Sequence, residues 1–263
     1  FIKKNNSKIK IFSICDNIIP HENFILNKYF VRKFLKKMDG IIVMSENVEK
    51  ELLEISKNFN YKKLFLPIID DQNINNEESF IKKNDKKKIT FLFFGLIRKY
   101  KGLDILLLAL NNIDKRLLDS FELIIVGESY EKIENYKSIL NTDVKKNVTW
   151  INEYVLDNDV NKYFLSSDFV VLPYKSASQS AIIPMAYNYN KPVIISNLSG
   201  LTEYVIDKET GYIFSNLDYI ELSNILTKII KNNTNNNMTL NIARFKKNIS
   251  AKKFANELLE FIS

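Results

Sequence analysis

The sequence predicts an α/β protein: a doubly wound parallel sheet, preceded by a shorter β-α series. Three observations carry this. Apolar runs such as ITFLFF at 89–94, FELIIVG at 121–127 and DFVVLPY at 168–174 are near-continuous, as strands buried on both faces require. Each is followed by a stretch with helical spacing, so the chain reads β-α-β-α. A polar stretch at 70–88, DDQNINNEESFIKKNDKKK, holds almost nothing to bury and separates an earlier series from a later one.

In the earlier series, KIKIFSI at 8–14 is a strand followed by the loop CDNIIPHE. LNKYFVRKFLKKM at 26–38 has helical spacing. DGIIVMS at 39–45 is a short strand ending at Ser45, which is placed to cap the helix NVEKELLEI. The later series opens with the strand ITFLFF and the helix LDILLLALNNI, then the strand FELIIVG and the helix YEKIENYKSIL. NVTWI at 147–151 is a strand, DNDVNKYFLSS a helix and DFVVLPY a strand. AIIPMAYNY reads as helix because Pro184 is tolerated in a first turn. KPVIIS and GYIF are strands flanking the short helix LTEYVI, and YIELSNILTKIIKN is a helix. KNNTNNN at 231–237 is expected to be loop, and ISAKKFANELLEFIS closes the chain as an amphipathic helix. The organisation read from the residues is a first β-α series at 1–70, a linker at 71–88, a second series at 89–240 and a terminal helical segment at 241–263.

Composition narrows the function classes. With 46% hydrophobic and 12% aromatic residues among 263, the chain is globular. A single cysteine excludes a disulfide framework and a multi-cysteine metal site, and Cys15 is expected to be a small buried hydrophobe. No apolar run reaches the roughly 18 residues of a spanning helix. The net charge of +7 comes with lysine and asparagine enrichment throughout and no basic-aromatic module, so no nucleic-acid partner is expected. Six glycines is low for this length, and those retained are expected to hold demanding backbone positions.

The segment FFGLIRKYKGLDILLLAL at 93–110 raises the question of chemistry. Positive charge at Arg98, Lys99 and Lys101 sits between a strand and a helix, flanked by Gly95 and Gly102. Ligands of open α/β sheets bind at the carboxyl ends of strands. A glycine there admits close backbone approach, and the cations beside a helix start suit a phosphate or diphosphate. A basic loop on a solvated edge is the competing reading of this segment.

That segment, with the spacing of LIIVGES, VTWINEYV, DFVVLPY, NKPVIISNLSGLTEYV and TGYIF, resembles the retaining GT-B glycosyltransferases of the family 4 type. The resemblance runs from about Ile9 to the end of the chain. CDNIIPHE and MDGIIVMSENV look like the last strands and loops of that family's first domain, and the chain opens on Phe1 in mid-pattern. The resemblance implies that 1–70 is the remnant of one Rossmann-like domain, the acceptor-binding one, most of which is absent, and that 89–240 is a ligand-binding domain. The resemblance implies two Rossmann-like domains facing a cleft and transfer of a hexosyl group from a nucleotide sugar to an acceptor hydroxyl, with retention. The acceptor would be a saccharide or lipid-linked, in surface polysaccharide, lipopolysaccharide or glycolipid synthesis. It further implies no cofactor, no metal requirement and a cytoplasmic enzyme able to touch the inner membrane face.

In the family an arginine and a lysine after the first strand of the second domain neutralise the leaving diphosphate, where charge grows in the transition state. Lys101 and Gly102 match its Lys-Gly pair. Leu96 occupies the usual arginine position, and Arg98, two residues on, takes that role; Lys99 alternates away. The family's paired glutamates align with Ala177 and Met185, which cannot accept hydrogen bonds as carboxylates do. Gln179, Ser180 and the N–H groups of Ala181 and Ile182, at the start of the next helix, are candidate donor contacts with Gly95; Ser180 also reads as a plain N-cap. Gly200 falls at the family's glycine-rich turn, with Thr202 and Glu203 beyond it. Gly127 is expected at a tight turn. Asp16, His21 and Glu22 would face the cleft from the first domain, and a lone histidine in a loop also reads as structural.

The basic amphipathic helix at 26–38 reads first as a core helix with a solvated face, and second as a contact for an anionic membrane. Two other functions share this architecture: a catalytically silent sugar-nucleotide-binding module, and an epimerase or phosphorylase. The missing carboxylates favour the first; the extra acidic residues or cofactor-lysine context that the others need are not evident.

Overall fold

The computed structural model describes residues 8–18, 27–68, 88–232 and 236–263. His21, Glu22 and the linker residues 71–87 lie outside them. The chain divides into two compact units, residues up to Pro67 with Ile249–Ser263, and Ile68–Asn248.

The first unit holds a parallel sheet of β1 (Phe12–Cys15), β2 (Gly40–Val43) and β3 (Tyr61–Lys63), in that spatial order. Strand β2 is central and buried along its whole length, which explains its unbroken apolar sequence. Successive side chains leave a strand on opposite faces. Ile41 and Val43 accordingly pack with Leu35 of α1 (Asn27–Leu35) and with Val48 and Leu52 of α2 (Glu46–Ile55). Ile42 and Met44 pack with Leu64 and with Phe254, Leu258 and Phe261 of α11 (Ala251–Ile262), the terminal amphipathic helix. Ser45 caps α2 as its sequence position predicts, its hydroxyl accepting from the Val48 N–H. Cys15 departs from expectation: it is half-buried on an edge strand, beside the Ser13 hydroxyl, and burial pushes its thiol upward.

The second unit is a six-stranded, all-parallel sheet in the order β6-β5-β4-β7-β8-β9. Its strands are β4 (Ile89–Phe94), β5 (Phe121–Val126), β6 (Val148–Ile151), β7 (Phe169–Leu172), β8 (Val193–Ser196) and β9 (Gly211–Phe214). On one face Phe91, Phe93, Leu123 and Ile125 pack against α3 (Leu103–Asn111) and α9 (Tyr219–Asn232), amphipathic around Leu222, Leu226 and Ile229. On the other, Phe94 meets Phe164 of α6 (Asp157–Ser166) with ring centroids 5.0 Å apart. The winding reverses between β4 and β7, the topological switch point of such sheets.

Several local expectations change. The predicted helix at 130–140 shortens to α4 (Ile133–Lys137), followed by an extra turn, α5 (Thr142–Lys145). The asparagine tract is not simply loop: Lys231 and Asn232 finish α9, and Asn236 begins α10 (Asn236–Phe245). Met238 and Ile242, four residues apart, are both buried, and that apolar pair outweighs the poor helix propensity of asparagine. The short helix near LTEYVI begins earlier, as α8 (Ser199–Thr202). It follows β8, just as α7 (Ile182–Asn188) follows β7.

Candidate functional site

Strand order places the loops after β4 and β7 side by side at the carboxyl edge of the second unit's sheet. The β4 loop leaves through Gly95, whose N–H donates to the Val126 carbonyl at 2.9 Å. It then turns through a short 3-10 segment, Lys99–Lys101, into α3. Gly95 has φ of +100°, and a Cβ there would lie 2.9 Å from Lys101 Nζ. The ammonium of Lys101 therefore lies over the glycine, in space that any side chain would fill.

Lys101 is 8% exposed. Burial, with repulsion from Arg98 second, drives its pKa down to about 8. No carboxylate of the described residues is among the groups that perturb it. A buried cation with no anionic partner among the described residues is costly, and such a group at the carboxyl edge of a sheet is a candidate for holding an anion. Beneath it is the β7 loop: Nζ is 5.7 Å from the centroid of the buried Tyr174 ring. The Tyr174 hydroxyl shares a hydrogen bond with that of Ser180. Ser180 in turn accepts from the Ile182 N–H at 3.3 Å. Arg98 is exposed and stacks on Tyr130 of the β5 loop, with its guanidinium carbon 4.4 Å from the ring centroid.

The structure thus brings Gly95, Arg98, Lys101, Ser180 and Ile182 to one edge, with Ile182 Cδ1 at 3.8 Å from the Cβ position of Gly95. Gln179 is half-buried beside Ser180, and Ala181 is exposed at the N-cap of α7. Two expectations are corrected. Ser180 sits one residue before the N-cap, and the Ile182 N–H is already engaged by Ser180 Oγ because the chain folds back locally at this point. Gly200 lies inside α8 and not in a turn. A Cβ there would be 2.3 Å from the Ser178 carbonyl, so its smallness lets α8 seat on the loop that carries Ala177 to Ser180. Glu203 is the half-buried C-cap of α8. Gly127 meets the Gly95 carbonyl, with a Cβ position 2.2 Å from that oxygen, so the β4 and β5 ends approach closely. Lys99 is exposed, as its alternation predicts. Asp16 is exposed at the bend after β1 in the first unit. Tyr174, Tyr130 and Tyr100 were not expected. The available signal was aromatic residues directly beyond strands or inside the basic loop.

Residues 74–248 match the family described as glycosyl transferases group 1. An uncharacterized glycosyltransferase, MJ1178, of Methanocaldococcus jannaschii is 29% identical over 221 residues, covering 80% of this chain and 55% of that protein. An uncharacterized 41.2 kDa protein in the cps region of Klebsiella pneumoniae is 31% identical over 130 residues, 48% of this chain and 32% of that one. The chain spans about half the length of the Methanocaldococcus relative it matches. Among solved structures, Anabaena HepE in complex with UDP aligns with a TM-score of 0.79 at 15% identity, over 99% of this chain and 74% of HepE. That likeness establishes the GT-B fold.

Proposed function

The chain belongs to the glycosyl transferases group 1 family, and from that membership we propose that it moves a hexosyl group from a nucleoside diphosphate sugar to an acceptor hydroxyl with retention. The observation that carries this reading is the buried ammonium of Lys101 over Gly95, perturbed by no carboxylate of the described residues, with Arg98 nearby. In the proposed reaction the bond between the anomeric carbon and the β-phosphate oxygen breaks. The acceptor oxygen bonds to the same face of that carbon, and its proton passes to the departing phosphate. Lys101 and Arg98 meet the negative charge that grows on the diphosphate, the role a metal ion would otherwise take. Gly95 gives the diphosphate backbone access, and Gln179, Ser180 and Ala181 contact the donor. Uridine diphosphate, which HepE binds in its solved complex, is the first nucleotide to test.

The test is thermal unfolding of this chain with uridine, guanosine and adenosine diphosphates and their glucose conjugates. Ligand at 100 times its dissociation constant adds about 2.7 kcal/mol. A selective rise with one base supports the reading, whereas no rise with any of them removes it. Arg98→Ala should weaken diphosphate binding at least about tenfold, the cost of a lost charge-assisted contact. Lys99→Ala should leave it within about twofold, because an exposed charge is screened. Equal losses at both positions would reduce the loop to general surface charge.

Ala177 and Met185, in place of carboxylates, favour a second reading, a module that binds the donor without turning it over. Binding without hydrolysis or transfer, with acceptors supplied, would establish it.

We also propose a lipid-linked acceptor and peripheral contact with the cytoplasmic membrane face through α1. Val31 and Leu35 pack inward, while Tyr29, Phe30 and Phe34 are 62%, 59% and 55% exposed among the exposed Arg32, Lys33, Lys36 and Lys37. Aromatic and basic side chains on one helix suit an anionic interface. Among the described residues, no helix is long and apolar enough to cross a membrane. Sedimentation with vesicles of 30% or so phosphatidylglycerol should pull down this chain, and Phe30→Ser/Phe34→Ser should release it by removing about 2–4 kcal/mol of apolar burial. Equal sedimentation with neutral vesicles would contradict the charge requirement.

A further inference from the structure

We infer that Tyr174 is a positioning residue for Lys101, holding the ammonium over Gly95 by its ring and locking that ring to the start of α7 through Ser180. The inference rests on the proposed diphosphate role of Lys101 but concerns a residue outside that assignment.

Lysine is flexible, with about four rotatable bonds and up to about 2 kcal/mol of side-chain entropy to lose when fixed. A buried ammonium without a carboxylate needs something else to hold it. Here the aromatic face of Tyr174 lies 5.7 Å from Nζ, within cation–π range. The ring is itself fixed at both ends. Tyr100 packs edge-on against it with centroids 6.1 Å apart. Its hydroxyl bonds Ser180, whose oxygen also holds the Ile182 N–H. The two loops are joined as well by the backbone bond from the Lys175 N–H to the Tyr100 carbonyl, 2.7 Å long. The Tyr174 side chain links the two: it touches the β4 loop through its ring and the α7 start through its hydroxyl.

The charged neighbours do not offer an alternative clamp. Arg98 repels Lys101. Asp104 of α3, the nearest carboxylate in sequence, is engaged by Lys175 at 2.7 Å. Burial pushes the Tyr174 phenol well above its ordinary range, so the ring stays neutral and acts by its face and its hydrogen bond.

The experiment titrates Lys101 in ligand-free protein, by NMR of its labelled side-chain amine assigned with Lys101→Met, and then measures uridine diphosphate binding across pH. Four proteins are compared: wild type, Tyr174→Phe, Ser180→Ala and the double variant. Tyr174→Leu is added with its unfolding midpoint as a folding control. Removing either hydroxyl should move the Lys101 midpoint upward from about 8 toward the solvated lysine value, as the ammonium gains water. The double variant should match the singles, since both break one bond. Tyr174→Leu should show the largest upward move, because release of the ammonium into water outweighs the lost ring contact, and about tenfold weaker binding, because the freed lysine is no longer held over Gly95. An unchanged midpoint in Tyr174→Phe and Ser180→Ala, or additive effects in the double, overturns the inference. Absence of nucleotide binding by wild type would instead defeat the functional reading, while the ligand-free titration would still decide the role of Tyr174.

Discussion

In the proposed transfer reaction, replacing Lys101 with methionine is expected to lower turnover by about 10²–10³-fold, the range for removing one preorganised group from developing transition-state charge. The same substitution should stabilise the ligand-free fold. The folded-state pKa of Lys101 lies near 8, below the ordinary 10.5, because burial penalises the ammonium. The unfolded chain therefore binds more protons than the folded one between those values, and wild-type stability rises with pH across that window. Below about pH 8 the full penalty applies, up to about 3 kcal/mol for a shift of this size. Lys101→Met escapes it, so the variant's unfolding midpoint should exceed the wild type's at pH 7, with the gap closing toward pH 10.5. Opposite effects on activity and stability mark a residue kept for function. Reduced stability in the variant at pH 7 would show that Lys101 is a structural cation.

Nucleotide affinity carries the complementary sign. A diphosphate selects the protonated ammonium, so wild-type affinity should be flat between about pH 7, above the terminal phosphate's own titration, and about pH 8, and then fall about tenfold per pH unit. Calorimetry at pH 8 in buffers of different ionisation enthalpy should register net proton uptake on binding of uridine diphosphate. In Lys101→Met both the fall and the uptake should vanish. Persistence of either would place the titrating group elsewhere.

The second large effect is expected at Gly102, on stability. Its φ is +65°, and a Cβ there would stand 1.8 Å from the Pro173 carbonyl oxygen, which is backbone and cannot swing away. Gly102→Ala thus combines left-handed strain with a steric conflict between the β4 and β7 loops, a cost of about 3 kcal/mol or more. For a domain of this size that lowers the unfolding midpoint by roughly 6–12 °C. Nucleotide binding should weaken too, since the same conflict separates Lys101 from Tyr174. A midpoint within about 2 °C of wild type would mean that the loops yield at little cost.

The legibility of this fold in the sequence follows burial pattern element by element. Strands β4, β5, β7 and β8 are near-continuous apolar runs broken only by Thr90, Glu122 and Ser196, so their one-dimensional signal is strong. Helix α9 was legible over its whole length because Leu222, Leu226 and Ile229 repeat at helical spacing on the core face. Strand β3, reading YKK, carries no such signal and exists because β2 offers it hydrogen bonds. The α10 helix was hidden by asparagines, and only the tertiary burial of Met238 and Ile242 brings it out.

The same division runs through the candidate site. The Lys-Gly pair after an apolar strand, its glycine at the carboxyl edge and a polar loop before α7 are local, and the sequence alone determined them. Whether Lys101 was a solvated surface charge or a buried one was not local. A lysine next to Arg98 and Lys99 looks alike in either case until β7 is placed beside β4 and Tyr174 closes beneath it. That pairing joins residues more than seventy positions apart, and so do the contacts of Gly102 with Pro173 and of Tyr100 with Tyr174. Periodicity records which face of an element is buried. Only the order of strands in the sheet decides which loops meet at its edge, because that order is set by packing between distant segments and leaves no periodic trace in either one.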